Sequence, residues 1–417
     1  MPALRGVVPA LLRENLAFRR FFAGQSVSLV GDQISFIALP LVGVIVLHAS
    51  AAQMGYLTAA GLAPNLLFSL HAGAWVDRRG RRRQTMLAAD IGRAALLATI
   101  PVAYELGCLT FAQLYVVGFL VGASSVLFYV AYSSLFVSLV PRDEYVRASS
   151  LLNGSRALSF VGGPSLGGLL VQVFSAPIAV AADAVSFVVS AFTLARISPA
   201  EPPAEEAEHG QVTAGIRYIA RSPVIRASLA ATTTINFFNF VLFAIVILYA
   251  NRVLDVGPGL LGLVLGAGAV GGVLGSLVTG RIVTRLGVGP ALVLGCVVFP
   301  TPLLLIPLAS GPRWVVLGCL FLAEFGSGFG VMLLDIAAGA ISAALVPDRL
   351  RARVSGAYMV VNYGVRPLGA LLGGALGSSI GLRPTLWIAA GGAIAGFLWL
   401  VPSPVWRLRE LPEVAEG

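Results

Sequence analysis

Residues 73–83 read Gly-Ala-Trp-Val-Asp-Arg-Arg-Gly-Arg-Arg-Arg and lie between two uninterrupted apolar runs. Gly80 suits a tight turn, because a residue without a side chain adopts backbone conformations that others avoid. The arginines of this segment favour the cytoplasmic side of a bilayer, where basic loops are retained. The segment therefore predicts two membrane-spanning helices joined by a short cytoplasmic turn.

The composition of the whole chain extends this prediction. Of the 417 residues, 57% are hydrophobic and 11% are charged, and the mean hydropathy is +0.89. A soluble chain carries about twice this charged fraction. The apolar runs continue for about twenty residues, which is the length of a helix across the hydrocarbon core. They lack the period-two alternation of barrel strands, so the sequence predicts an all-α integral membrane protein.

Twelve such runs follow one another, and each predicts one transmembrane helix. They fall approximately at 19–47, 54–76, 84–104, 110–140, 150–173, 176–196, 226–250, 258–280, 288–309, 314–346, 354–378 and 382–402.

The basic residues indicate how the chain is oriented. Its net charge is +9, but it contains no lysine and its arginines are grouped in short loops. With the N-terminus inside, twenty-two arginines fall in cytoplasmic loops, and three (Arg252, Arg313 and Arg383) fall in the opposite loops. We therefore predict a multi-pass protein of the cell membrane with both termini in the cytoplasm. The same pattern argues against nucleic acid as a partner.

A polar interruption divides the chain. Its first part, 198–210, combines prolines with glutamates and predicts a flexible linker. Its second part, 213–226, spaces apolar residues among arginines and predicts an amphipathic helix on the cytoplasmic membrane face. The expected organisation is an N-terminal six-helix bundle at 1–197, a linker at 198–225 and a C-terminal six-helix bundle at 226–417.

The two halves repeat each other. Val140-Pro141 corresponds to Val346-Pro347 at an offset of 206, and the glycines and arginine around Arg78 recur around Arg285 at an offset of 207. A duplicated unit in parallel orientation predicts two pseudo-symmetric six-helix bundles with a substrate cavity where they meet. A duplicated scaffold without a transport role is the alternative interpretation.

The segment 73–83 closely resembles the loop motif of the major facilitator superfamily, G-x-x-x-D-R-x-G-R-[RK]. In that family the loop acid and arginines latch the two bundles on the cytoplasmic side and separate as the transporter turns inward. The second copy of the loop has Thr284 in place of the acid, which implies a weaker latch there. The resemblance implies a major facilitator fold and latch roles for Gly73, Asp77, Arg78, Gly80 and Arg82.

A second segment, Gly-Pro-Ser-Leu-Gly-Gly at 163–168, lies in the fifth predicted helix. It resembles the G-P-x-x-G-G core of a motif found in proton-exchanging exporters of the same superfamily, and its matching residues are Gly163, Pro164, Gly167 and Gly168. Close helix packing through glycines four residues apart is an equally good interpretation. The arginine that proton-coupled drug exporters carry in the fourth helix is absent, since 115–122 is uncharged.

Ionisable side chains inside the predicted helices are candidate sites, because each is costly in a bilayer unless it is paired or hydrated. Asp32 lies midway along the first helix with no arginine near it there, and we predict that it carries the coupling proton. Asp90 and Arg93 are three residues apart and are expected to pair. Arg156 is a candidate partner for Asp32. Glu324, Asp335 and Arg366 complete the predicted coupling or charge network. For most of these groups, and for Asp183, a structural ion pair or a position near the membrane interface is the alternative interpretation.

Residues 15–32, the loop and Asp90–Arg93 together resemble the superfamily branch that includes macrolide-efflux proteins and the enterobactin exporter. This resemblance implies a secondary transporter that exports hydrophobic or amphipathic small molecules by proton antiport with alternating access. The substrate cavity is expected to be largely apolar and aromatic. Its candidate residues are Phe36, Phe128, Tyr129, Asn236, Phe237 and Phe240.

Three alternatives stay open: a lipid flippase, an energy-independent facilitator and a non-transporting membrane platform. The expected partners are a small-molecule substrate, protons and membrane lipids, and the chain is expected to be monomeric. No phosphate-binding G-x-x-x-x-G-K-[ST] loop occurs, and the three cysteines and three histidines are scattered. These features predict no enzymatic activity, no cofactor and no metal site.

Overall fold

The computed structural model describes residues 9–198 and 211–409, and these residues form helices and no strand. Most of the predicted linker at 198–210 therefore lies outside the described residues. The helices of the first half follow the predicted runs, with a 3-10 turn before α6 and a π-helical turn that extends α2. They are α1 (Ala10–Glu14), α2 (Leu16–Leu41, extended by Val42–Val46), α3 (Ala51–Arg79), α4 (Arg82–Glu105), α5 (Phe111–Leu139), α6 (Tyr145–Val173) and α7 (Ala176–Ala195).

The second half begins with a short helix and then repeats six longer helical stretches. Its third membrane stretch is built from α11, a 3-10 turn (Thr301–Leu304) and α12. The helices are α8 (Gln211–Arg221), α9 (Pro223–Arg252), α10 (Pro258–Leu286), α11 (Val288–Val298), α12 (Leu305–Leu308), α13 (Arg313–Leu345), α14 (Asp348–Ser379) and α15 (Leu382–Ala395).

The expected major facilitator architecture of twelve membrane helices agrees with this element order, because twelve long helical stretches occupy the places of the twelve predicted runs. Eight of them are long and apolar enough to cross a membrane by length and composition. The remaining four are α3, α6, α14 and α15.

Local sequence explains where several helices begin and turn. The Asn15 side chain accepts a hydrogen bond from the Phe18 amide at 2.8 Å and so caps α2. Ser222 caps α9 directly before Pro223, a residue that suits the first helical position. Gly80, between α3 and α4, has a φ of 60°, and its counterpart Gly287 has a φ of 93°. Both loops thus use the backbone freedom of glycine, as the sequence predicted for the first.

Contacts divide the chain into two compact units. Unit 1 comprises residues 1–47 and 63–207, and unit 2 comprises 48–62 and 208–417. The predicted N-terminal bundle contained 48–62, whereas the contacts of this segment lie within unit 2. There the Ala52 amide donates to the Ser378 hydroxyl oxygen at 2.9 Å. The first part of α3, up to residue 62, therefore belongs to unit 2, and the rest of the helix belongs to unit 1. Pro64 lies within α3 directly after this boundary.

Unit 1 has an aromatic core, in which Phe18 and Phe21 of α2 are fully buried with Met86 of α4. The Asn15 side-chain amide donates to the Leu139 carbonyl oxygen at 2.8 Å and joins the beginning of α2 to the end of α5. Polar contacts at helix ends thus supplement apolar packing inside the unit.

Unit 2 depends on close glycine contacts between α10 and α13. A Cβ atom at Gly328 would lie 3.0 Å from the Gly268 Cα atom, and one at Gly275 would lie 2.7 Å from the Phe329 carbonyl oxygen. Both distances are shorter than normal van der Waals contacts. The two helices therefore require glycine at these crossings.

The predicted amphipathic helix exists, but its position differs from the expectation. It ends at Arg221, and Val224 belongs to α9. The Tyr218 hydroxyl donates to the Leu345 carbonyl oxygen, and Ile219 is buried in the core of unit 2. Ile219 thus packs on protein, whereas Ile216 is 51% exposed, and contact of this helix with the membrane surface stays a prediction.

Candidate functional site

Asp90 and Arg93 form an ion pair within α4, as the sequence predicted from their spacing. Both side chains are buried, with exposed fractions of 0% and 1%. The Arg93 guanidinium also lies over two aromatic rings, 4.4 Å from the Phe128 centroid and 4.0 Å from that of Phe187. A buried cation so enclosed by its acid and by aromatic faces is held in one position.

Asp183 of α7 is held by two hydroxyl groups. Ser35 of α2 donates to one carboxylate oxygen, and Ser186 donates to the other at 2.9 Å. Gly31 makes this approach of α2 to α7 feasible, since a Cβ atom there would overlap Asp183 and Ser186. Neither serine nor Gly31 was identified from sequence, because the relevant register arises only when the two helices pack.

Asp32 lies one helical turn before Ser35 and has different surroundings. Asp32 lines a small cavity within unit 1. Among the described residues, no hydrogen bond or ion pair engages it. Arg156 of α6 lines the same cavity, but the expected ion pair between Arg156 and Asp32 is not formed. The expectation rested on opposite charge alone, and a functional partnership of the two residues stays a prediction.

This cavity lies within unit 1, whereas the apolar, aromatic substrate cavity is expected where the two bundles meet, and that expectation stays a prediction. Phe128 and Tyr129 line the unit 1 cavity, but most of its lining carries polar groups. Phe36 is 41% exposed and is not part of the lining. The lining residues are Gln25, Ser28, Leu29, Asp32, Arg93, Phe128, Tyr129, Tyr132, Leu152, Asn153 and Arg156.

The glycine-rich segment of α6 packs against α2 beside Asp32. Its four motif residues, Gly163, Pro164, Gly167 and Gly168, are all buried. A Cβ atom at Gly167 would lie 3.0 Å from the Ile34 Cα atom, and one at Gly163 would overlap the Gln33 side chain. The packing interpretation of this segment therefore agrees with the geometry. A role in proton exchange stays a prediction.

The latch stays a prediction as well. The side chain of Asp77 lies outside the described part of the structure. Arg82 is buried at 4% exposure, and a Cβ atom at Gly73 would meet open space. Arg83, which was not selected from sequence, donates from Nε to the Leu194 carbonyl oxygen at 2.9 Å.

The same guanidinium donates from Nη2 to the Ala195 carbonyl oxygen at 2.7 Å, and Arg20 of α2 donates to the Arg196 carbonyl oxygen at 2.5 Å. The last carbonyl groups of a helix have no intrahelical hydrogen-bond donor. Arg20 and Arg83 donate the hydrogen bonds that the carbonyl groups at the end of α7 would otherwise lack. We call these contacts the α7 arginine clamp.

The polar residues of unit 2 form a different arrangement. The hydroxyl groups of Thr232 and Tyr358 hydrogen-bond at 2.5 Å, and the Asn362 side-chain amide donates to Thr232 at 3.2 Å. Asn236, a predicted cavity residue, donates to the Thr232 carbonyl oxygen at 3.1 Å. This network joins α9 to α14 without a charged group.

Arg366 of α14 contacts aromatic rings in place of an acid. Its guanidinium lies 3.6 Å from the centroid of Tyr363 and 5.1 Å from that of Phe240, a predicted cavity residue. Asp335 is exposed and forms no ion pair with Arg366. The carbonyl group of Phe237, also a predicted cavity residue, abuts Gly369. The charges of Asp335 and Arg366 interact without a salt bridge, and the wider charge network of unit 2 stays a prediction.

Comparison with known sequences supplies the wider context. Residues 21–365 match the Major Facilitator Superfamily. The uncharacterized MFS-type transporter YfiS of Bacillus subtilis (strain 168) is 27% identical over 237 residues, which cover 54% of this chain and 55% of that protein. The multidrug efflux pump Tap of Mycolicibacterium fortuitum is 26% identical over 371 residues, which cover 85% of this chain and 88% of that protein.

Two solved structures share the fold at low sequence identity. The nucleoside transporter NupG aligns with a TM-score of 0.72 at 11% identity and covers 93% of this chain and 98% of its own. An inward-facing bacterial homologue of the iron transporter ferroportin aligns with a TM-score of 0.75 at 16% identity, covering 94% and 99%. At these identities the likeness concerns the fold alone.

Proposed function

Because this chain belongs to the Major Facilitator Superfamily and is thus a membrane transporter, we propose that it exports amphipathic small molecules in exchange for protons. Asp32 carries the proton, and the unit 1 cavity contacts the polar part of the cargo. The alternating-access cycle known for this superfamily exposes the site to one side of the membrane at a time.

The observation that supports this proposal is the difference between Asp32 and the other two carboxyl groups of unit 1. Asp90 is paired with Arg93, and Asp183 accepts hydrogen bonds from two serines. Asp32 reaches the cavity and has neither kind of partner among the described residues. A carboxyl group that is both unengaged and accessible can gain and lose a proton without breaking a structural contact.

The surroundings of Asp32 suit this task. When Asp32 is ionised, Arg93 and Arg156, which line the same cavity, offset its charge. When it is protonated, Arg93 keeps its own acid, Asp90. Protonation of Asp32 therefore changes the charge of the cavity while the Asp90–Arg93 pair stays intact.

The composition of the cavity supports an amphipathic cargo. Amide, hydroxyl and guanidinium groups at Gln25, Asn153 and Arg156 can hydrogen-bond a polar moiety, while Phe128 and Tyr129 supply aromatic surface. One relative of this chain is named a multidrug efflux pump, which favours export of such compounds. A lipid flippase or an energy-independent facilitator is the alternative, and neither requires a titrating Asp32.

The decisive experiment measures uphill transport in proteoliposomes with an imposed pH gradient. The wild type should accumulate a cargo identified from a drug-susceptibility panel in an efflux-deficient bacterium. Asp32→Asn should bind the cargo and equilibrate it without accumulating it. Asp348→Asn, which removes an exposed carboxylate from unit 2, is the matched control and should accumulate cargo normally. Unchanged uphill transport by Asp32→Asn would exclude proton coupling through this residue.

Orientation and assembly follow as further proposals. The arginine distribution supports a cytoplasmic position for both termini. Labelling of single cysteines introduced near Arg196 and near Arg252 with a membrane-impermeant reagent, in intact cells, tests this directly. Label should reach the position near Arg252 and not that near Arg196. We also propose that the chain is monomeric, which the mass of the purified protein in detergent can refute.

A further inference from the structure

One face of α8 packs on unit 2. Gly215 and Ile219 are buried, and they share this face because they are four residues apart. A Cβ atom at Gly215 would lie 2.2 Å from the Arg353 carbonyl oxygen, so this close approach to α14 requires glycine. On the same face, the Tyr218 hydroxyl donates to the Leu345 carbonyl oxygen at the end of α13. These contacts fix the rotation of α8 about its own axis.

The opposite face of α8 is exposed and combines basic with apolar residues. Arg217 and Arg221 lie on it four residues apart, which separates them by about 6 Å along the helix axis. Beside Arg217, the side chain of Ile216 is 51% exposed. Among the described residues, no ion pair engages either arginine. An exposed apolar side chain beside arginines is typical of a helix that lies at a membrane surface.

Arg226, in the first turn of α9, adds a third guanidinium group beside this face. Its side chain is exposed, and its Nη1 atom donates to the Ala220 carbonyl oxygen at 3.1 Å. This hydrogen bond holds Arg226 next to the last turn of α8. We call Ile216, Arg217, Arg221 and Arg226 the α8 basic face.

The helices that carry this face contain no acid to offset its charge. Residues 209–252, which include all of α8 and α9, have no aspartate or glutamate. At the beginning of α14, which packs against α8, Asp348 is paired with Arg351. The α8 basic face therefore carries three positive charges that have no ion-pair partner among the described residues.

We propose that the α8 basic face binds the headgroups of anionic phospholipids, with its guanidinium groups on the phosphates and Ile216 against the acyl chains. A guanidinium group can donate two parallel hydrogen bonds to one phosphate. A lipid surface matches both parts of the face, whereas free phosphate would contact the arginines and leave Ile216 in water. In the proposed orientation this surface is the cytoplasmic leaflet, whose negative potential attracts basic segments.

Lipid bound at this face stabilises unit 2, because α8 contacts the end of α13 and the first turns of α14. A ligand that binds the folded protein and not the unfolded chain raises the midpoint of unfolding. The inference goes beyond the proposed export, since it involves neither the cargo nor the coupling proton.

The test adds dioctanoyl phosphatidylglycerol to the full-length protein in a neutral detergent and measures the midpoint of thermal unfolding. The wild type should gain at least about 3 °C at saturating lipid. Dioctanoyl phosphatidylcholine and inorganic phosphate should each give a much smaller shift. Arg217→Gln/Arg221→Gln should lose most of the shift, whereas Arg217→Lys/Arg221→Lys should retain most of it because both charges are kept.

Two further variants separate the lipid site from general effects of charge. Arg147→Gln removes an arginine of unit 1 that is 73% exposed, and its shift should match that of the wild type. Ile216→Ser keeps all three arginines and should reduce the shift, because the contact with the acyl chains is lost. Each variant is compared with its own midpoint without lipid, so a change in basal stability is not counted as a loss of binding.

Equal shifts in the wild type and Arg217→Gln/Arg221→Gln would overturn the inference, as would equal shifts with the two phospholipids. An equal shift with inorganic phosphate would also overturn it, because the site would then be one for free anions. The measurement requires neither a proton gradient nor a known orientation. Its failure would therefore leave the proposed proton-coupled export standing, and failure of that export would leave the lipid site standing.

Discussion

The first helix of unit 1 and the first membrane helix of unit 2 occupy equivalent places in the duplicated sequence, but they carry different chemistry. At the offset of 207, Asp32 of α2 corresponds to Asn239 of α9. Asp32 lines a polar cavity that also contains Arg156. Asn239 lies in α9, where the hydrogen bond between Thr232 and Tyr358 joins two uncharged groups.

The contrast extends to the neighbouring helices. Unit 1 encloses the Asp90–Arg93 pair in α4, whereas the corresponding α11 contains no charged side chain. Conversely, unit 2 has Glu324 where unit 1 has Gly118. The two halves thus share their helix order and loop glycines, but their charged residues inside the membrane helices occupy different positions. The repeat therefore predicts the scaffold and does not predict the functional site.

The largest expected effect comes from exchanging the two equivalent polar residues. Asp32→Asn should reduce uphill transport to the level of empty vesicles. Adding Asn239→Asp should not restore it, because α11 contains no counterpart of the Asp90–Arg93 pair of α4. The measurement is proton-driven accumulation in proteoliposomes. Recovery of transport in the double variant would show that the two positions are functionally interchangeable and would remove the contrast drawn above.

The second largest effect is expected from loss of the buried ion pair between Asp90 and Arg93. Asp90→Asn leaves the Arg93 charge without its acid and should destabilise unit 1 by about 3–5 kcal/mol. An exposed pair in unit 2, between Asp348 and Arg351 at 2.5 Å, should contribute less than about 1 kcal/mol. Denaturant unfolding of Asp90→Asn and Asp348→Asn in the same detergent compares them. Similar losses in the two variants would contradict this ranking.

A smaller loss is expected from a methyl group at the α10–α13 crossing. Gly328→Ala introduces a Cβ atom against the Gly268 backbone and should destabilise unit 2 by about 1–3 kcal/mol. Gly339→Ala, on the same helix but facing open space, should be neutral or stabilising by up to about 1 kcal/mol. Thermal unfolding followed by tryptophan fluorescence distinguishes the pair, and equal shifts would refute the packing argument.

The smallest predicted effect concerns the α7 arginine clamp, which unit 2 lacks at the equivalent position, Pro290. Arg83→Leu removes two hydrogen bonds to the end of α7 and should lower stability by about 1 kcal/mol, since the side chain is partly solvated. Arg285→Leu, in the second copy of the loop, is the control for loss of charge and should change stability less. A midpoint of heat denaturation unaffected by Arg83→Leu would exclude the clamp as a stabilising contact.

The helices could be predicted from sequence because each apolar run is long and is bounded by loop residues. Their ends could be predicted less well. The predicted helix at 150–173 in fact begins at Tyr145, and the one at 226–250 begins at Pro223. Polar and capping residues form these first turns, so the apolar run alone underestimates the helix.

The site was only partly predictable for a different physical reason. Spacing within one helix is known from sequence, and the Asp90–Arg93 pair follows from it. The serines that hold Asp183 and the glycine that admits them lie on separate helices, and their contact depends on how α2 and α7 are rotated and shifted when they pack. The absence of an Asp32–Arg156 pair has the same origin, because opposite charges on separate helices meet only if packing brings them together.

The α7 arginine clamp also bears on how the protein is made. Arg20 and Arg83 both precede in the chain the carbonyl groups that they bind at 194–196. Once the ribosome has passed these residues, every donor and acceptor of the clamp is available, and synthesis of the second half is not required. The first half can therefore complete its final helix end without the second, and residues 1–207 made alone and released into the membrane should already resist proteolysis.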